Sequence, residues 1–150
     1  MNVFLDTSFL SSLYRQQIHS PVAIRFMASV KGPLPVSSLL VMEFRQSVRL
    51  QTRLFGLDRQ KGFPSAEGAR MLRDLQSDLV AGVLSMKAID WADVHRIAEQ
   101  LSDRHTRERG HRLADLLHVA TALHLGAESF LTFDQQQRKL AAAEGMDVPV

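Results

Sequence analysis

Apolar positions in this chain fall into short runs that alternate with longer stretches of helical periodicity. Residues 2–5 (NVFL) form a brief apolar run, which predicts a buried strand. Asp6 follows at once, and Thr7 or Ser8 then suits the cap of a helix carrying Phe9, Leu10 and Leu13. Residues 21–30 place Val22, Ile24, Phe26, Met27 and Val30 on a second helix, stopped by KGPLP. The segment LPVSS predicts a second buried strand, closed by a serine pair that offers another cap. From Leu39 to Leu54 the period is helical again, with Arg45, Arg49 and Arg53 recurring every four residues on one face.

The turn-forming stretch FGLDRQKGFPSAEG interrupts this pattern and holds a proline suited to a helix start. Residues 65–81 predict a fourth helix through Met71, Leu72, Leu75, Leu79 and Val80. VLSMKAI reads as a third strand, after which Asp90 caps a helix containing Val94, Ile97, Ala98 and Leu101. A basic connector, DRHTRERGHR, leads to the helix LADLLHVATALHLG. The strand SFLTF, a short helix from Asp134 to about Glu144 and an extended DVPV complete the pattern.

Strands alternating with helices predict an α/β fold with a short parallel sheet and helices on both faces. With no internal repeat or low-complexity tract, residues 1–150 read as a single domain. Right-handed crossovers put the C-terminal ends of all the strands on one edge, where open sheets bind ligands at a switch in strand order. A hydrophobic fraction of 45% and a charged fraction of 23% fit an ordinary globular chain and disfavour disorder. No apolar run approaches a bilayer span and the start does not read as a secretory signal, so a cytoplasmic protein without a membrane partner is expected. The chain has no cysteine, which excludes thiolate chemistry and leaves oxygen or imidazole as metal ligands. Net charge is only +2, but 14 arginines against 4 lysines suit a phosphate-bearing partner, or else reflect codon usage.

Candidate chemistry sits at the element ends. Asp6 follows the first strand, Asp134 the strand SFLTF, Glu43 lies in the first turns of the helix after LPVSS, and Asp115 near the start of LADLLHVATA. Each acid has a local structural use: Asp6 and Asp134 suit helix caps, and Glu43 and Asp115 suit a positive helix N-terminus. Taken together, four acids at one end of one sheet raise each other's pKa unless a cation is present. Oxygen-only ligands favour Mg²⁺ or Mn²⁺, with Thr7 or Ser8 orienting a ligand carboxylate. Such a site fits metal-assisted phosphodiester hydrolysis, with Asp6, Glu43 and Asp115 as ligands and Asp134 positioning the ion or a second one.

The segments FLDTSFL, VMEFR, RLADLLHVATAL and FLTFDQQQRKLA, in this order over nearly the whole chain, resemble PIN-domain ribonucleases. The resemblance is strongest to the VapC-type toxins of bacterial type II toxin–antitoxin pairs. It implies a three-layer α/β/α fold and an acidic pocket that binds Mg²⁺ or Mn²⁺ and cleaves single-stranded or loop RNA to 5′-phosphate and 3′-hydroxyl ends. By motif, Asp6, Glu43, Asp115 and Asp134 match the four acids, Thr7 or Ser8 the small hydroxylic residue beside the first, and Thr132 the threonine of the last motif. Many relatives carry a further acid where this chain has Gln136, which bears on a second metal ion. The resemblance also implies a homodimer, neutralised by a small antitoxin that fills the groove in a heterotetramer or larger assembly.

Arg104, Arg107, Arg109 and Arg112 are candidate RNA contacts, Arg112 foremost, against the plain alternative of a solvated loop. His111, His118 and His124 have no partner at metal-ligand spacing and read as structural or surface residues, and Trp91 as a core anchor. Leu54, Phe55, Leu57 and Phe63 within residues 51–66 suit either an exposed partner surface or local packing of a helical hairpin. A phosphatase-type fold needs a second Asp at the position of Ser8, and a receiver domain needs an Asp directly after the third strand, so both are disfavoured. The standing alternative to a nuclease is a catalytically weak PIN-type module that binds RNA or a protein partner.

Overall fold

A computed structural model describes residues 2–150. The chain order is β1 (Val3–Leu5), α1 (Thr7–Tyr14), α2 (Ser20–Ser29), β2 (Leu34–Val36), α3 (Ser38–Leu57), α4 (Ser65–Ala81) and β3 (Leu84–Met86). It continues with α5 (Trp91–Leu101), a π-helical turn (Ser102–Thr106), α6 (Arg107–Arg109), α7 (Leu113–His124), β4 (Ser129–Leu131) and α8 (Gln135–Ala143). β1 pairs in parallel with β4, setting Val3, Phe4 and Leu5 opposite Ser129, Phe130 and Leu131. β2 pairs in parallel with β3, Leu34 opposite Leu84 and Val36 opposite Met86. β1 also lies beside β2, so the strands run in the order β3-β2-β1-β4, with Asp147 bridging Ser129 beyond β4.

This order makes a switch point. The chain leaves β1 toward β2 on one side, whereas β4 lies on its other side, so the loops after β1 and β4 diverge over a crevice. One group of helices, α1 to α4, packs together, and a second group forms around α7, against α5 and α8. The sheet lies between these layers, which is the α/β/α arrangement the alternation predicts.

Local chemistry explains the boundaries. β1 and β2 end after three residues because the polar residues that follow, Asp6 and Ser37, become helix caps. Asp6 accepts from the Phe9 amide at 3.1 Å, and Ser37 accepts from the Leu40 amide at 3.1 Å, each satisfying an orphan donor of the helix it starts. Thr7 and Ser8 therefore lie inside α1 and do not cap it, which frees their hydroxyls for other partners. α3 buries Leu40, Val41, Phe44 and Val48 on one stripe, and α5 buries Val94, Ala98 and Leu101. Phe4, Phe9, Phe44 and Phe130 are fully buried at the centre, and Trp91 packs half-buried against the core.

Two segments differ from the sequence pattern. The basic connector is helical up to Arg109 and ends at Gly110, whose φ of 66° is left-handed. Arg104 and His105 hold it there by gripping the Glu144 carboxylate at the end of α8, at 2.9 and 2.7 Å. α3 also continues to Leu57, and the turn folds back so that the Phe63 amide meets the Gln51 carbonyl at 3.4 Å. Gly62 makes this return possible: a Cβ there would lie 1.9 Å from the Gln51 carbonyl oxygen. Phe63 is thereby buried, as hairpin packing requires, while Leu57 stays exposed. Among the described residues no helix is long and apolar enough to cross a membrane.

Candidate active site

The crevice at the switch point is a cleft of about 360 Å³, and Asp6, Glu43, Asp115 and Asp134 all line it. The four arrive from the ends of β1 and β4 and the first turns of α3 and α7. Thr7, Ser8, Arg112 and Gln137 share its wall.

Asp6 is buried, with 3% of its surface exposed. Its Oδ1 accepts from the Ser8 hydroxyl at 2.6 Å, and its Oδ2 accepts from the Thr132 hydroxyl at 2.5 Å. Ser8 in turn accepts from the Phe133 amide at 2.9 Å, and Thr132 from the Asp134 amide at 3.0 Å. The junctions after β1 and β4 are thus locked together through one carboxylate. Burial pushes Asp6 above the ordinary carboxylate pKa, and the hydrogen bonds from Ser8, Thr132 and Phe9 offset this only in part.

Glu43 accepts from the Thr7 hydroxyl and, at 3.0 Å, from Nε2 of the buried His118. Burial alone would raise its pKa. His118, then Thr7 and Arg112, outweigh that and hold the carboxyl below the usual range. Asp115 accepts from Arg112 Nε and Gln137 Nε2, both at 3.3 Å, and Asp134 caps α8 through the Gln136 and Gln137 amides at 2.8 and 3.0 Å.

Of the candidate residues, the cleft brings together the four acids, Thr7, Ser8 and Arg112, with Thr132 directly behind Asp6. Arg104 is turned away to Glu144, and Arg107 and Arg109 lie exposed on α6. His118 is the residue the sequence reading undervalued, since it touches an acid of the cleft. Its signal was position: it stands three residues beyond Asp115 on α7, one turn along the same face. Gln137 was also missed, and it is buried with its Oε1 unpaired among the described residues. His124 pairs instead with Asp93 at 2.7 Å, away from the cleft.

The donor set has the chemistry a hard divalent cation requires: carboxylates and hydroxyls, one carboxylate whose charge is disfavoured by burial, and a buried amide oxygen without a partner. Each acid is meanwhile held by protein donors, and among the described residues no three His, Asp or Glu side chains are drawn together as a ligand set. Holding an ion there therefore calls for bridging water or small side-chain turns, which suits Mg²⁺, an ion that keeps several of its waters.

A sequence model of the PIN domain matches residues 3–143. The chain belongs to the PIN-domain family. Solved structures share the fold of this PIN domain, two of them over nearly the whole chain. One is Mycobacterium tuberculosis VapC20, described as a toxin that cleaves the sarcin-ricin loop, 22% identical over 97% of this chain and 98% of that one, with a TM-score of 0.69. The other is FitAcB from Neisseria gonorrhoeae, 19% identical over 97% and 95% of the two chains, with a TM-score of 0.66. No curated protein sequence matches the PIN domain described here.

Proposed function

We propose that this PIN domain is a Mg²⁺- or Mn²⁺-dependent endoribonuclease and acts as the toxin of a toxin–antitoxin pair. The observation that carries this reading is the convergence of Asp6, Glu43, Asp115 and Asp134, from four distant segments, on one cleft at the sheet's switch point. Asp6 and Asp115 would hold the ion, with Glu43 and Asp134 completing the site directly or through water. When bound, the cation supplies charge stabilisation at the phosphate and lowers the pKa of water.

The protein's own groups do the positioning. Ser8 and Thr132 fix the Asp6 carboxylate, while Thr7 and His118 fix and keep ionised the carboxylate of Glu43. Arg112, its side chain 82% exposed at the rim, is placed to meet the phosphate of an incoming strand. Exposed Met42, Leu50 and Leu57 on α3 offer apolar surface to a second copy or to an antitoxin.

The test is cleavage of a mixed RNA pool by the purified protein. Cutting that needs Mg²⁺ or Mn²⁺, stops with chelator and is lost in Asp6→Asn and Asp115→Asn supports the assignment; undiminished cutting by either variant refutes it. Because every acid already has protein partners, a second reading remains, a module that binds RNA without cutting it. RNA binding by the wild type with no cleavage at any metal concentration would select that one.

A further inference from the structure

A second cavity of about 330 Å³ adjoins the acidic cleft, and Ser47 lines both. α1 and α3 each start at the same sheet edge, so they run away from it side by side. The groove between them passes Thr7 and Glu43, then Ser47, then Arg15 and Gln51. From Glu43 to Gln51 is two helical turns, a distance of about 12 Å. That exceeds the ~3.4 Å rise of one stacked nucleotide, so a strand held at the acids has neighbouring nucleotides to place there.

The lining has two characters. Val48, Phe63 and Met71 form an apolar floor, and Arg15, Gln17 and Gln51 a polar rim. The Arg15 guanidinium lies over the Phe63 ring, 4.9 Å from its centroid, and takes no hydrogen bond or ion pair among the described residues. The nearby Glu67 is already engaged by Arg70 at 2.5 Å. Gln17 spends its Nε2 on the Ser11 carbonyl at 3.0 Å, which leaves its Oε1 free to accept. The Gln51 side-chain amide has no partner among the described residues, and Gly62 lets the loop close the far wall.

A phosphate has no use for an apolar floor or a free acceptor, whereas a base uses both. Its faces pack on apolar and guanidinium surfaces, and its edge pairs with a donor fork and amides. We propose that this cavity is a subsite for one unpaired nucleobase, and that Arg15 and Gln51 select which base lies at a fixed distance from the cut. The proposal rests on the ribonuclease reading of the adjoining cleft.

The experiment has two arms. In the first, wild-type protein with Mg²⁺ digests a randomised single-stranded RNA pool, and the ends produced are sequenced. One base is expected to be enriched roughly tenfold or more at a single position beside the cut, a preference flattened at that position in Arg15→Ala and in Gln51→Ala. No preference in the wild type, or the same profile in both variants, overturns the subsite and returns the cavity to a protein partner. In the second arm, Asp6→Asn protein is titrated with short RNAs differing in one base. A preference that Arg15→Ala abolishes is expected, and equal binding of all four bases overturns the proposal. Preference in this arm without cutting by the wild type would leave the subsite standing and remove the nuclease reading.

Discussion

Asp6 carries a cost that can be measured without any substrate. Its carboxylate is buried, and the balance of burial against three hydrogen bonds and the charge of His118 still leaves its pKa raised. For an acid shifted upward, the folded state binds the proton more tightly than the unfolded chain. Ionisation therefore subtracts stability above the folded pKa, and the penalty disappears as pH falls below the unfolded value of 3.8. Asp6→Asn removes the charge and keeps the shape. Its oxygen still accepts from Ser8 and the Phe9 amide, and Asn caps a helix about as well as Asp. Its amide can donate to Thr132, whose hydroxyl then turns toward Ser8, 3.3 Å away. Relief of order 1 kcal/mol is expected near neutral pH, a rise in Tm of about 2–4 °C for a domain of this size. Asp6→Ala should do the opposite, losing the cap and stranding buried donors, by about 2–4 kcal/mol.

A cation reverses the comparison. Saturating Mg²⁺ at about one hundred times its Kd adds roughly 2.7 kcal/mol to the wild type and should leave Asp6→Asn nearly unmoved. Thermal melts of both proteins, with chelator and with Mg²⁺, decide the matter. If Asp6→Asn melts below the wild type in chelator, the burial argument is wrong; if Mg²⁺ raises both equally, Asp6 is not a ligand.

Glu43 should show the ordinary acid behaviour. Because its pKa is depressed, its contribution is complete above the unfolded value of 4.5 and is lost as pH falls through the lower folded value. Glu43→Gln should thus melt below the wild type at neutral pH, by a gap that closes as pH falls below 4.5; a gap constant with pH counts against the His118 pairing. Thr132→Val deprives Asp6 of a donor and the Asp134 amide of an acceptor, at a cost of about 2 kcal/mol that Thr132→Ser should largely recover, read by urea unfolding. A valine variant of wild-type stability would contradict the lock between the β1 and β4 junctions. Arg112→Ala should weaken RNA binding by similar factors for all sequences and reduce the salt slope by about one phosphate contact, measured by titration across ionic strengths. An unchanged slope removes Arg112 from the phosphate path.

What could be read along the chain was what depends on local period and on end chemistry. The long helices came through because they bury an apolar stripe, as α3 does with Leu40, Phe44 and Val48. The four acids came through because they punctuate those elements. What failed was whatever the tertiary partner decides. The charge run through Arg104 looked like a loop, and Glu144, forty residues away, makes it a helix. His118 read as a structural or surface residue on its own helix, and its meaning lies in Glu43 on another. Which way a carboxylate turns, outward to an ion or inward to Thr7 and His118, is likewise set by neighbours that no spacing rule connects.

The lock at Asp6 also bears on when the cleft can assemble during synthesis. Asp6 and its partner Thr132 are 126 positions apart, and among the described residues the only strand hydrogen-bonded to β1 is β4. Closing so long a loop costs roughly 4 kcal/mol of chain entropy, which nothing repays until β4 has docked. During synthesis the first acid therefore waits, without its cleft, while the 126 residues up to Thr132 are made. A nascent chain stalled before Thr132 carries the aspartate but not the lock, so the cleft is assembled only once β4 and the residues after it have been made.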